Sequence, residues 1–254
     1  MRRQIENILH RAGELLLRAE NIHAEEKSGR ADLVTQFDRS IQDFLERELL
    51  VLYPQAGFLG EENARENLER RAVFIVDPID GTTNFVRDFH HSCISAALEI
   101  DGAVRCGVVY NPYLDEMFSA EAGKGAFLNG RPLRASQRDL THAIVLFGSS
   151  PYNHELAARS FAAAQALFTR GLDVRRTASA ALDLCYIASG RADVYFEYII
   201  SPWDHAAGHL IAQEARAIVS QFDGTSVSNR EKCSILACGP NCYAAARSIL
   251  SEIK

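Results

Sequence analysis

Several things are scarce in these 254 residues. No apolar run approaches the roughly 20 residues that span a bilayer, so no transmembrane helix is expected. The opening stretch MRRQIENILHRAGELLLRAE is broken by charge throughout and has no room for the apolar core of a signal peptide. Blocks of like charge are missing. The net charge of −6 argues against nucleic acid as the main partner, because a phosphate backbone calls for a basic surface. The expectation is a cytoplasmic protein with no membrane and no nucleic acid as partner. A small anionic ligand stays allowed, since a bound cation can reverse the local field. The six cysteines contain no C-x2-C pair. Cys93, Cys106 and Cys185 lie in apolar segments, while Cys233, Cys238 and Cys242 are closer together without zinc-ribbon spacing; all six read as buried thiols. AGKGAFLNG lacks G-K-[ST], so it is no P-loop. No Ser-His-Asp or Cys-His arrangement is legible.

What is present is a 47% hydrophobic chain, enough for one large domain or two packed halves. Ile5, Ile8, Leu9, Ala12, Leu15, Leu16 and Ala19 follow helical spacing, as do Ile41, Phe44, Leu45, Leu49 and Leu52. The polar EEKSGRADLVTQFD between them reads as a loop or loose hairpin. Ala72–Val76 reads as a strand buried on both faces. Cys93–Ile100 and Ala103–Tyr110 flank Asp101-Gly102, a strong hairpin signal, and Asn129-Gly130 marks another tight turn. Strands are expected at 116–120, 125–128, 143–147, 194–196, 217–219 and 235–238. Helices are expected at 154–169, 180–189, 205–215 and 241–253. The pattern changes near 134–141. Residues 1–140 therefore form an N-terminal α+β half and 141–254 an alternating α/β half of a single domain.

One segment stands out: Val76-Asp77-Pro78-Ile79-Asp80-Gly81-Thr82-Thr83. Two carboxylates three residues apart sit at the end of a buried strand. Crowded carboxylates repel unless a cation lies between them, and hard divalent cations take oxygen ligands. Gly81 lets backbone approach a ligand, and a turn starting at Gly81-Thr82 would aim free N–H groups at an anion. Taken alone, such a segment is more often an acidic turn. Two further signals shift that balance: Glu61 after the apolar run Ala56-Gly57-Phe58-Leu59, and Asp204 after Ser201-Pro202-Trp203. Asp204 alone reads equally well as a helix N-cap. His90-His91 is set aside as a metal pair, because adjacent side chains on a strand point to opposite faces. D-P-I-D-G also lacks the spacing of an EF-hand.

VDPIDGTTNFV resembles the signature of the inositol monophosphatase family. GFLGEEN is similar to its upstream glutamate motif, and SPWDHAAGHLIAQEA to its downstream W-D-x-A-A-G motif. ADLVTQFD, GVVYNP, GKGAFLNGRPL and RTASAALDLCYIASGRADVYFE extend the resemblance over almost the whole chain. It implies a layered αβαβα sandwich of the sugar phosphatase type, and a Mg2+-dependent hydrolysis of inositol monophosphate. By the same resemblance Glu61, Asp77 and the Ile79 carbonyl would hold one Mg2+. Asp77, Asp80 and Asp204 would hold a second, and Glu61 would touch a third. Mn2+ could substitute; Ca2+ and Li+ would inhibit. Thr82 and Asp38 would flank the attacking water, and Lys27, read as a loop residue, would lie near the phosphate. Asp38 alone also reads as an N-cap of the second helix.

Gly81 and Thr82 would bind phosphate. Ser149, Ala178, Ser179, Ala180, Glu197 and Asp204 would meet the polyol, with Ala178 standing where many relatives carry glycine. Glu197 follows Val194-Tyr195-Phe196, and an acid there needs a polar partner, which a polyol hydroxyl would supply. The resemblance further implies a homodimer. Within the family, fructose-1,6-bisphosphatase and histidinol-phosphatase activities compete with the inositol assignment. From a different class comes a regulatory protein that keeps the fold.

Overall fold

The apolar spacing of the first residues folds as α1 (Arg2–Leu17), which buries Ile5, Ile8, Leu9, Ala12 and Leu16 and leaves Leu15 exposed. The computed structural model describes residues 1–30, 32–62, 65–151 and 153–253, with backbone only at Ser28. Ala31 of ADLVTQFD and Asn63 of GFLGEEN lie outside the described residues. The polar stretch after α1 is an antiparallel hairpin, β1 (Ala24–Gly29) with β2 (Asp32–Thr35). Lys27 is thus on a strand rather than in a loop. α2 (Gln36–Leu52) begins five residues before Ile41, because the Thr35 hydroxyl caps it by accepting from the Phe37 and Asp38 amides.

An eight-stranded sheet follows: β3 (Gly57–Gly60), β4 (Arg65–Glu66), β5 (Ala72–Asp80), β6 (Cys93–Ile100), β7 (Ala103–Asn111), β8 (Glu116–Glu121), β9 (Ala126–Leu128) and β10 (Arg131–Pro132), with the short α3 (Thr82–Val86) after β5. Its order is β10-β9-β8-β7-β6-β5-β3-β4. The chain then alternates through β11 (Ile144–Phe147), α4 (Ala157–Phe168), β12 (Asp173–Arg175), α5 (Ala180–Ala188), β13 (Val194–Ile200), α6 (Pro202–Glu214), β14 (Ile218–Ser220), β15 (Cys233–Cys238) and α7 (Pro240–Glu252). Its five strands order as β12-β11-β13-β15-β14.

Both sheets are covered on both faces, which explains why their strands read as continuous apolar runs. Along β5, Phe74 and Val76 pack with α1 and α2, whereas Val73 and Ile75 face α5 and α6. Likewise Val145 and Phe147 of β11 face α4 and α7, while Leu146 turns to α5 and α6. The layers are therefore α1/α2, large sheet, α5/α6, small sheet, α4/α7, which is the expected αβαβα sandwich. Five cysteines are buried and Cys233 is partly exposed; none is disulfide-bonded. His90 and His91 lie in the loop before β6, not on a strand as the sequence suggests. His90 stacks on Tyr113 and pairs with Asp88, while His91 faces Tyr186. Among the described residues, no helix is long and apolar enough to cross a membrane.

Candidate metal centre

Strand pairing brings the first carboxylates together. β3 and β5 run parallel, with Gly60 opposite Val76 and the Glu61 N–H donating to the Val76 carbonyl at 3.2 Å. Glu61 and Asp77 therefore leave the same edge of the sheet side by side. Asp80 needs a further device, because residues three apart on a regular strand face opposite sides. Against β6, Asp77 pairs with Ser95 and Asp80 with Cys93, so three steps on β5 match two on β6. The extra residue is a bulge at Pro78-Ile79, a position where a missing N–H is tolerated. It turns Asp80 back to the side of Asp77, toward α5. There Asp80 Oδ2 accepts from Ser179 Oγ (2.6 Å) and the Ala181 N–H (2.8 Å), with Cys93 Sγ at 3.6 Å. Gly81 leaves this strand at φ +87°, a left-handed turn that opens α3.

Asp204 arrives on α6. Ser201 is the N-cap and Pro202 the first helical residue, so Asp204 is the third residue of the helix and not its cap. Its Oδ2 accepts from the Ser201 N–H at 3.0 Å. Asp38 departs from the sequence reading in the same way: Thr35 caps α2, and Asp38 completes the capping box from the third position. Ligand atoms of Asp77, Asp80 and Asp204 lie within 4.8 Å of one another. Burial, then the charges of Glu61 and Asp80, push the Asp77 and Asp204 carboxyls well above their ordinary range. Asp80 is also raised by burial, against the donors that hold its Oδ2.

Glu61 stands at the side of that trio. Its Oε1 accepts from Lys27 Nζ at 2.9 Å, and Lys27 also pairs with Glu62. Burial pushes Glu61 up to about 7, against the pull of Lys27. Lys27 is itself held charged above its ordinary value: burial opposes its charge, but Glu61 and Glu62 outweigh it. On the other side, the Thr82 hydroxyl lies 3.2 Å from Asp38 Oδ1 and 3.0 Å from the Ile79 carbonyl. Burial raises the Asp38 carboxyl.

Glu61, Asp77, Ile79, Asp80, Thr82 and Asp204 line a cavity of about 750 Å3 that runs on to Ser149, Ala178, Ser179, Ala180 and Glu197. Sequence reasoning left Glu197 in want of an outside partner. The fold provides inside ones: Ser150 donates from Oγ (3.0 Å) and N (3.2 Å), and Tyr195 Oη donates at 2.8 Å. Ser150, rather than the neighbouring Ser149, is the serine that holds Glu197; Ser149 lines the cavity and accepts from Arg176 Nε at 3.2 Å. Gly148 makes this possible, since a Cβ there would meet the Glu197 carboxylate at 2.0 Å. Ala178 sits at φ +66°, a conformation that glycine adopts without strain. Asp183 was not singled out in the sequence. It is buried on α5, bonded by Thr177 Oγ1 at 2.5 Å, and burial holds its carboxyl well above the ordinary range. Its only sequence signal is an acid inside the apolar helix AALDLCYIA.

The donor set fits a hard divalent cation. Three carboxylates crowd at one point, and Lys27, the cation nearest to them in the pairing network, is already engaged by Glu61 and Glu62. Paired carboxylates without a cation are costly, and an all-oxygen set matches Mg2+ better than a soft metal. Fold and site together define a layered α+β protein whose two sheets enclose a carboxylate-lined, cation-ready cavity. The chain belongs to the inositol monophosphatase family, whose sequence model matches residues 2–253. It is 38% identical over 236 residues to a protein of Xylella fastidiosa named Nus factor SuhB, covering 89% of this chain and 85% of that one. The crystal structure of the extragenic suppressor protein SuhB from Bartonella henselae superposes with a TM-score of 0.91 at 34% identity, covering 97% of this chain and 96% of that one. The Thermotoga maritima IMPase gives a TM-score of 0.88 at 31% identity, covering 98% and 95%.

Proposed function

We propose that the chain is a Mg2+-dependent phosphomonoesterase that hydrolyses inositol monophosphate to inositol and inorganic phosphate. The observation that carries this reading is the convergence of Asp77, Asp80 and Asp204 within 4.8 Å on the floor of a ligand-sized cavity. Asp77, Asp80 and Asp204, with Glu61 and the Ile79 carbonyl beside them, would hold the cations. Bound there, Mg2+ supplies charge to the phosphate and lowers the pKa of water. The chain's own groups do the rest. Gly81 and Thr82 line the cavity where the phosphate would be received. Asp38 is the base: its Oδ1 takes the Thr82 hydroxyl proton as Thr82 Oγ1 takes one from the attacking water. The new bond is P–O from that water; the ester P–O bond breaks with its electron pair on the polyol oxygen, which takes a proton from solvent water to leave as the free polyol. Glu197, pinned by Ser150 and Tyr195, presents a fixed acceptor to polyol hydroxyls.

A panel of monophosphate esters with Mg2+ tests the assignment. Inositol 1-phosphate should show the highest kcat/KM, ahead of sugar monophosphates and histidinol phosphate. If it is turned over no faster than the others, the inositol assignment fails.

A second reading comes from the relative named Nus factor SuhB. A chain that keeps this fold for regulation would not need turnover, and the partners read from composition, without nucleic acid, would then be incomplete. The complete carboxylate set and the Asp38–Thr82 pair support catalysis. Asp204→Asn separates the two: catalysis is lost in that variant, while a purely regulatory role survives it.

A further inference from the structure

Asn84 is the third residue of α3, just past the Gly81-Thr82 turn, and it is buried. It is not one of the residues that line the cavity. Its Nδ2 donates to the His91 carbonyl at 2.7 Å and to the Thr177 carbonyl at 2.8 Å, with the Ala178 carbonyl at 3.4 Å. An amide has two N–H bonds, so the two short contacts use both and the longer one shares. One side chain thereby joins two segments that are far apart in the chain. The first is the turn at Gly81-Thr82, where the ester phosphate would be received. The second is 177–179, which leads into α5 along the polyol side of the cavity. The fit between them is close. A Cβ at Gly81 would stand 3.1 Å from both the His91 and the Ala178 carbonyl oxygens, so the glycine backbone packs against two of the oxygens that face Asn84.

We propose that Asn84 is a positioning residue that holds the phosphate-receiving turn and the polyol wall in one register. It thereby sets how strongly the site prefers a polyol ester over an ester whose alcohol carries no hydroxyls. The inference deepens the phosphomonoesterase reading and rests on it. The wall has two other anchors of a different kind. Thr177 Oγ1 donates to Asp183 at 2.5 Å, a bond local to the start of α5. Asp80 accepts from Ser179 Oγ and the Ala181 N–H, but Asp80 also belongs to the carboxylate cluster. Asn84 is neutral and ties the wall to α3 itself. Ala178, at φ +66°, holds a conformation that persists only where its surroundings constrain it, and the donors at the Thr177 and Ala178 carbonyls are part of that constraint. A shift of about 1 Å between two parts of a site can cost on the order of a hundredfold in rate, so a small slip of wall against turn is enough to be read.

The test compares inositol 1-phosphate with p-nitrophenyl phosphate, whose aryl group offers no hydroxyl to the wall, in the wild type, Asn84→Asp and Asn84→Ala. Asn84→Asp keeps the shape and sets oxygen against the carbonyls. Asn84→Ala removes the donors without adding charge, and it serves if the aspartate variant does not fold. The kcat/KM ratio of inositol 1-phosphate to p-nitrophenyl phosphate should fall by about tenfold in either variant. KM for inositol 1-phosphate should rise, while both parameters for p-nitrophenyl phosphate stay near wild type. Equal slowing of the two esters at unchanged KM overturns the proposal, since that is loss of folded enzyme through a merely structural brace. So does an unchanged ratio. Should the wild type turn over neither ester, the phosphomonoesterase reading is what has failed, and equilibrium binding with Ca2+ in place of Mg2+ decides this inference. Weaker binding of inositol 1-phosphate in the variants, with inorganic phosphate bound as in the wild type, supports the register. Equal weakening of both, or a wild type with no preference for the ester, removes it.

Discussion

Asp38 and Asp204 hold the same local place. Each is the third residue of a helix, three positions after a hydroxyl N-cap, and each accepts from the backbone N–H of that cap, at 2.7 Å from Thr35 and 3.0 Å from Ser201. Their surroundings separate them. Asp38 is enclosed by donors: Thr35 Oγ1 at 2.5 Å on one oxygen and Thr82 Oγ1 at 3.2 Å on the other. Asp204 faces two more carboxylates. The helix start sets where each carboxyl lies. What comes to meet it decides whether it is wrapped by donors or crowded by other carboxylates; on the function proposed above, the first would move a proton and the second would hold a cation.

The largest test of that contrast is Asp204→Asn. It should lower kcat/KM on the order of 1,000-fold, because part of the several kcal/mol that a cation supplies is lost. The amide oxygen still accepts from Ser201, and repulsion with Asp77 and Asp80 is relieved, so the metal-free Tm should hold or rise. A wild-type-like rate would remove Asp204 from the metal set. Asp38→Asn should cut kcat/KM by about 100-fold through loss of the base. It should also cost about 1–2 kcal/mol in denaturant unfolding, since the amide has one acceptor oxygen for the Thr35 and Thr82 donors that the carboxylate meets with two. If the two variants lose stability alike, their environments do not differ as described.

Next comes pH. The folded Glu61 carboxyl is raised from its ordinary value of 4.5 to about 7, so below 7 a proton occupies the group that a cation needs. Apparent Mg2+ affinity by calorimetry should rise by at least about tenfold per pH unit as pH climbs toward 7, since Asp77 and Asp204 are raised as well and add protons for the cation to displace. A flat profile between pH 5.5 and 7 would take Glu61 out of the metal set. The smallest effect is Ala178→Gly. Relief of the left-handed alanine is worth about 1–2 kcal/mol, and glycine returns roughly 0.5–1 kcal/mol of that through the unfolded chain. Stability should therefore rise by at most about 1.5 kcal/mol, with neither aspartate disturbed.

Much of this arrangement was legible because it lies at element ends. Glu61, Asp77, Asp80 and Asp204 each follow an apolar run or open a helix. The apolar pattern carried an α+β first half and an alternating second half, while the αβαβα layering came from the family resemblance. The exact helix starts were not legible. Ile41 and His205 are the first strong periodic residues, yet the helices begin at Gln36 and Pro202, where Thr35 and Ser201 satisfy the free N–H groups. Ser150 was missed because a serine in a polar loop looks like its neighbour Ser149 until β13 delivers Glu197. Cys93 read as ordinary core; only the β5–β6 register places its thiol against Asp80. Asn84 and Thr177 are 93 residues apart in number and meet solely through the packing of α3 against the segment before α5. Separations of that kind leave no local trace.

The Asp80 contacts have a consequence for how the protein is made. Asp80 emerges from the ribosome 99 residues ahead of Ser179, the hydroxyl that fixes its Oδ2, and Asp204 emerges later still. A nascent chain that has completed the large sheet carries Glu61, Asp77 and Asp80 with neither α5 nor α6 against them. A product truncated before α6, even one with a finished first sheet, lacks Asp204 and so cannot assemble the three-carboxylate cluster.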